Sequence, residues 1–139
     1  KGRYMMYKVS REFMFAAGHS VTGYPGNCAR LHGHGYRVIV TIKSPKLNGL
    51  GMVMDFSDLK VIVDGILNEL DHYFLIWRDD PRAEGLMRLD ASSIRIMEYN
   101  PTAENIAEHI KDGLRDRLLS PQAVDSVVLY ETPNCSAIV

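Results

Sequence analysis

The stretch Cys28-Ala-Arg-Leu-His32-Gly-His34 sets two imidazoles one glycine apart, four residues after a thiol. In a β-strand, residues i and i+2 share a face, so His32 and His34 can aim at one point. Neutral imidazole is a good zinc ligand, and a catalytic zinc site combines three protein ligands with an open position. Two residues are candidates for the third ligand. One is His19, at the end of an upstream strand that an antiparallel neighbour can bring close. The other is Cys28, which would then be lost as a reactive thiol. An exposed turn can carry the same His-Gly-His pattern, so the spacing alone identifies no metal site.

The elements that must position these residues follow from the rest of the chain. With 139 residues, 46% apolar, 24% charged and a net charge of −1, the composition predicts one ordinary soluble domain spanning 1–139. Such a balance offers no general attraction to nucleic acid or to an anionic membrane. No apolar run approaches the roughly 20 residues of a membrane span. The opening KGRYMMYKVS lacks the apolar core of a signal peptide, and two cysteines make no disulfide framework, so a reducing cytoplasm is expected.

Partial alternation over 4–17 predicts a long strand, followed by a loop through Gly23, Pro25, Gly26 and Asn27. Tyr36–Ile42 is β-branched and predicts a second strand; Ser44–Gly51 breaks the chain, and Met52–Phe56 predicts a short strand. Ser57 or Asp58 can cap a helix whose apolar stripe is Leu59, Ile62, Val63, Ile66, Leu67 and Leu70, ending at Asp71-His72. Thr102 caps a second helix with the stripe Ile106, Ile110, Leu114 and Leu118. Between the helices, 77–100 reads as polar and irregular except for a possible strand at 94–99, and two short strands around Thr132-Pro133-Asn134 close the chain. This order predicts an α+β fold, an antiparallel sheet with helices on one face.

Beyond the histidine pair, a set of segments in fixed order spans nearly the whole chain: Phe15-Ala-Ala-Gly-His19, Cys28-Ala-Arg-Leu-His32-Gly-His34, Met54-Asp55-Phe56, Leu70-Asp71-His72, Pro101-Thr102-Ala103-Glu104-Asn105 and Tyr130-Glu131-Thr132. The set resembles the 6-pyruvoyltetrahydropterin synthase superfamily. The resemblance implies the tunnelling fold, a four-stranded antiparallel sheet with two helices on one face. Sheets join edge to edge into a trimeric barrel, and two trimers stack into a homohexamer with active sites between subunits. It also implies Zn(2+) held by His19, His32 and His34. The short spacing from Cys28 to the histidine pair is similar to the bacterial queuosine-pathway branch. That branch converts 7,8-dihydroneopterin triphosphate to 6-carboxy-5,6,7,8-tetrahydropterin with release of acetaldehyde and triphosphate.

Carried over residue by residue, the resemblance makes Cys28 the general base, since a thiolate beside a dication is favoured near neutral pH. The pair Asp71-His72 becomes a proton relay; without the family it reads as a helix C-cap histidine. Glu131 becomes the pterin anchor, offering both carboxylate oxygens to the 2-amino and N3 donors. Thr102 and Glu104 fall on a substrate-contacting segment, although a helix cap and a first-turn acid explain them equally well. Arg30 is a cation near the site in sequence, nothing fixes which Lys or Arg holds the triphosphate, and His109 reads as a surface histidine.

The resemblance weakens over 73–100, 28 residues where compact relatives pass quickly from the Asp-His pair to the Asn-Pro-Thr turn. Gly18 and Gly35 also depart from the commoner residues. Rival readings on the same fold are a pyruvoyl synthase and a paralogue that cleaves unphosphorylated dihydroneopterin. A zinc protein that binds a pterin or purine without turnover is another, as is a metal-stabilised structural oligomer. Binding alone needs neither Cys28 nor Asp71-His72, and a structural oligomer predicts no pterin binding at all.

Overall fold

The computed structural model describes residues 5–139, so Tyr4, at the start of the expected first strand, lies outside the described residues. The order is β1 (Tyr7–His19), β2 (His32–Ser44), α1 (Phe56–Leu67), β3 (Phe74–Trp77), α2 (Ala83–Asp90), β4 (Ile94–Met97), α3 (Ala103–Arg117), β5 (Ala123–Thr132) and β6 (Cys135–Ile138). One sheet runs β4-β3-β1-β2-β5-β6. The pairs β1–β2, β2–β5 and β5–β6 are antiparallel; β1–β3 and β3–β4 are parallel.

Period-two alternation gives the sheet its apolar face. Phe13, Phe15 and Ala17 of β1, Tyr36, Val38, Val40 and Ile42 of β2, and Val127 and Leu129 of β5 are buried. Leu59, Val63, Ile66 and Leu67 of α1 meet Ile106, Ala107, Ile110 and Leu114 of α3 over that face in one core. Each fully buried branched side chain contributes about 1.5–3 kcal/mol. The α+β class holds, but the sheet has six strands rather than four and there are three helices rather than two. The extra strands and α2 come from the segment after His72.

Several boundaries differ from expectation for identifiable reasons. Met52–Phe56 is not a strand: Asn48 Oδ1 accepts from Leu50 N (2.9 Å) and Met52 N (3.1 Å), which curls the chain, while Val53 and Met54 are buried in a turn. Asp55, not Ser57 or Asp58, caps α1 by accepting from Ser57 N at 2.6 Å. The helix ends at Leu67, and Asp71-His72 lie in the turn beyond it. Leu70 stays buried there because Asp71 N still donates to Leu67 O at 2.8 Å, and the chain reverses only at His72, with φ 63°. Thr102 caps α3 as expected, accepting from Asn105 N at 3.2 Å.

Candidate active site

The antiparallel register places His19 opposite His32 and Ala17 opposite His34. All three imidazoles therefore project on the core side, at the end of the sheet where β1 finishes and β2 begins. Their ring centroids stand 4.6 Å (His19–His32), 5.1 Å (His19–His34) and 4.9 Å (His32–His34) apart. One nitrogen from each lies within 4.8 Å of the others. The Sγ of Cys28 is not part of this group.

The tautomers follow from the partners. A carbonyl only accepts, so His19 Nδ1 donates to Pro101 O at 2.7 Å and His32 Nδ1 donates to Arg30 O at 2.7 Å. Each Nε2 then carries a lone pair. The Nε2 atoms of His19 and His34 are buried and have no hydrogen-bond partner. Burial also pushes both imidazoles below their ordinary pKa, towards the neutral form that ligates metals. Glu131 Oε1 lies 3.4 Å from His19 Nε2 and 3.8 Å from His34 Nε2. A carboxylate against the lone-pair Nε2 of His19 is repulsive unless a cation or proton lies between them. The donor set therefore fits a divalent cation of the kind imidazole prefers.

Next to the cluster, the Tyr36 ring stands at 77° to that of His34 with centroids 5.5 Å apart, and its buried hydroxyl has no partner. Burial pushes that phenol well above its ordinary pKa. The sequence reading did not single out Tyr36 for the site; its position two residues after His34, on the same strand face, was the available signal.

Cys28 is half-buried in a single 3-10 turn, Asn27–Ala29, and its carbonyl accepts from Val21 N at 2.7 Å. Asp71 Oδ1 lies 2.9 Å from His72 Nδ1 and also accepts from Ala16 N at 3.0 Å. The His72 side chain is 82% exposed. It borders a cleft of about 440 Å³ together with Gly18, Gly33, His34, Phe74 and Ser93, within the range of small-molecule sites. Gly18 is bare for a reason: a Cβ there would stand 2.4 Å from Phe74 Cδ2. Thr102 is engaged as the α3 cap, Glu104 is exposed in the first turn, and Arg30 is exposed. His109 lies half-buried at the surface, where it faces Glu69 at 3.8 Å and packs on Tyr99.

A polar network missing from the sequence reading holds the loop between β1 and β2. Asn100 Oδ1 accepts from Thr22 N and Asn100 Nδ2 donates to Thr22 O, both at 3.0 Å. Thr22 Oγ1 donates to Asp80 Oδ2 at 2.7 Å, and Asp80 is paired with Arg82. The guanidinium beside it, with the other donors, holds the Asp80 carboxyl down at about 2 against an ordinary 3.8.

Together, the sheet and the histidine cluster describe an α+β protein with a candidate three-histidine metal centre at one end of a largely antiparallel sheet. The family model for 6-pyruvoyl tetrahydropterin synthase matches residues 8–139, and the chain belongs to this family. It is 37% identical over 134 residues to a 6-carboxy-5,6,7,8-tetrahydropterin synthase of Rickettsia felis, covering 94% of this chain and 97% of that protein. A protein of the same name from Aquifex aeolicus is 35% identical over 157 residues, covering 96% and 97%. Among solved structures, an uncharacterized protein from Wolinella succinogenes superposes with a TM-score of 0.84 at 30% identity, covering 97% and 98%. The 6-pyruvoyl tetrahydropterin synthase of Plasmodium falciparum superposes with a TM-score of 0.75 at 23% identity, covering 96% of each chain. The fold is the tunnelling fold.

Proposed function

We propose that the protein is a zinc-dependent carbon–carbon lyase that converts 7,8-dihydroneopterin triphosphate to 6-carboxy-5,6,7,8-tetrahydropterin, releasing acetaldehyde and triphosphate, in the queuosine pathway. The observation that carries the chemistry is the cluster of a buried His19 with half-buried His32 and His34, in which the Nε2 atoms of His19 and His34 have no partner. The choice of substrate rests on the relatives named for this product, which match at 35–37% identity along almost the whole chain.

His19, His32 and His34 would hold the zinc, which when bound would supply Lewis acidity towards the hydroxyl oxygens of the substrate side chain. Cys28 takes the proton from the side-chain carbon as general base. Asp71 Oδ1 accepts from His72 Nδ1, which fixes the tautomer and leaves His72 Nε2 to exchange the proton with solvent. Glu131, with Thr102 and Glu104 of the α3 first turn, binds the pterin. In this reading the enzyme is cytoplasmic and works as a homohexamer, a dimer of trimers. No helix among the described residues is long and apolar enough to cross a membrane.

Incubating the purified, zinc-loaded protein with 7,8-dihydroneopterin triphosphate tests the reading. The carboxylated tetrahydropterin and acetaldehyde are expected in equal amounts. A pyruvoyl product would move the protein to the other branch of the family, and binding without turnover would make it a pterin carrier.

The pterin anchor has its own test. Glu131→Gln keeps the shape but turns one acceptor into a donor facing a ring donor, leaving a buried polar group unpaired at about 1–3 kcal/mol. Calorimetry with a non-reacting pterin should show affinity weakened about tenfold or more, with unchanged oligomer size. Wild-type affinity would mean that the pterin is held elsewhere.

A further inference from the structure

We propose that Arg82 is a positioning residue for the Cys28 loop, through which the segment inserted after His72 sets the catalytic thiol relative to the histidine cluster. The proposal rests on Cys28 being the general base.

The geometry is a four-bond clamp. Arg82 Nη1 donates to Ala29 O at 2.8 Å, on the residue after Cys28, and Nη2 donates to Ser20 Oγ at 2.9 Å, on the residue after His19. Nε and Nη2 donate to the two oxygens of Asp80 at 3.0 and 2.7 Å. One planar fork thus spans the strand end that carries His19 and the turn that carries Cys28, and its remaining face rests on a carboxylate whose side chain is fully buried. Asp80 is itself fixed, accepting from Arg82 N at 2.8 Å and from Thr22 Oγ1 at 2.7 Å.

The bonds within the loop, Val21 N to Cys28 O, Ala29 N to Gly26 O and Arg30 N to Asn27 O, shape it but do not orient it. Among the described residues, the ties from distant elements are those of Asp80, Arg82 and Asn100. Asn100 and Asp80 grip the loop at Thr22, near its start. Arg82 alone reaches the part beside Cys28. These contacts lie outside the hydrophobic core of sheet and helices, so removing the whole pair would displace the thiol more than it would unfold the sheet. A displacement of about 1 Å at a reacting group can cost up to a hundredfold in rate.

Full-length variants test this with two readouts, steady-state kinetics on dihydroneopterin triphosphate and the iodoacetamide alkylation rate of Cys28 relative to exposed Cys135, followed by peptide mass spectrometry. Arg82→Ala should lower kcat about tenfold to a hundredfold and move KM less than about threefold. It should also shift the Cys28-to-Cys135 alkylation ratio by about fivefold or more. Arg82→Lys should restore little, because an ammonium cannot span Ala29, Ser20 and Asp80 together. Arg82→Ala leaves Asp80 buried without its partner, so the double variant Asp80→Leu/Arg82→Met, which removes both charges, guards against misfolding and should show the same changes. Arg88→Ala breaks only an exposed pair with Glu84 on α2 and should match wild type. An unchanged alkylation ratio in the Arg82→Ala and double variants overturns the proposal. So does a raised KM with kcat preserved, which would make Arg82 a substrate-binding cation. If wild type turns over no pterin, the lyase reading fails and the alkylation ratio alone decides the role of Arg82.

Discussion

His32→Ala and His34→Ala are each expected to leave the purified protein nearly free of metal, while His109→Ala keeps a full complement. The reason lies in how few atoms can hold an ion here. His19 and His32 direct their Nδ1 hydrogens at backbone carbonyls, so only the Nε2 side of each ring faces the cluster. Even an outer partner of a ligating histidine is worth about 10–100-fold in metal affinity, and deleting a ligand costs more. Elemental analysis of protein purified from metal-supplemented medium would read this directly, and full zinc in both variants would dissolve the site. A chelator should remove activity before it removes structure. The hydrophobic core of Tyr36, Val38, Leu59, Ile110 and their neighbours extends well beyond the cluster, and circular dichroism should show a folded apo-protein.

Cys28→Ala is the second large effect. Losing a general base costs about 10²–10⁴ in rate, whereas metal content and pterin affinity should hold, because the thiol lies outside the donor group. Single-turnover kinetics on the zinc-loaded variant would isolate the proton-transfer step. If the variant lost its metal, Cys28 would be a ligand and the base would have to be sought elsewhere. If it retained wild-type turnover, the proton would leave by another route, with the Asp71-His72 pair the next candidate.

How much of this was legible in advance depended on range. The His32–His34 pair could be read because strand periodicity is local, and His19 could be placed beside them because consecutive strands tend to pair antiparallel. The Thr102 cap was equally local. Asp55 was missed as the α1 cap because Asp55, Ser57 and Asp58 all have capping chemistry and only backbone geometry chooses among them. Phe74–Trp77 and Ala83–Asp90 were missed because four apolar residues and two helical turns are too short to show a period. The Arg82 clamp was out of reach for another reason. Its partners Ala29 and Ser20 lie 53 and 62 residues away, and nothing in a run of Asp, Pro and Arg states which carbonyl a guanidinium will find. The polar composition read as irregular, when part of it is a buried carboxylate, Asp80, held by Arg82.

The turn at Asp71-His72 also limits the sheet's growth. The N–H of Ala16 is taken by Asp71 Oδ1 and its carbonyl accepts from His72 N at 2.6 Å, and Gly18 N donates to Tyr73 O. Alternation along β1 points the N–H and C=O groups of Lys8, Ser10, Glu12 and Met14 at the same margin, and among the described residues no strand pairs with them there. That leaves about 20 Å of unsatisfied backbone, bounded at one end by a carboxylate and a reversed peptide. A strand donated by a second copy can zip along this margin only until it meets Ala16. The Asp71-His72 turn is therefore an end-stop on this margin, and a substitution at Asp71 that freed the Ala16 N–H would lengthen the open edge as well as release His72.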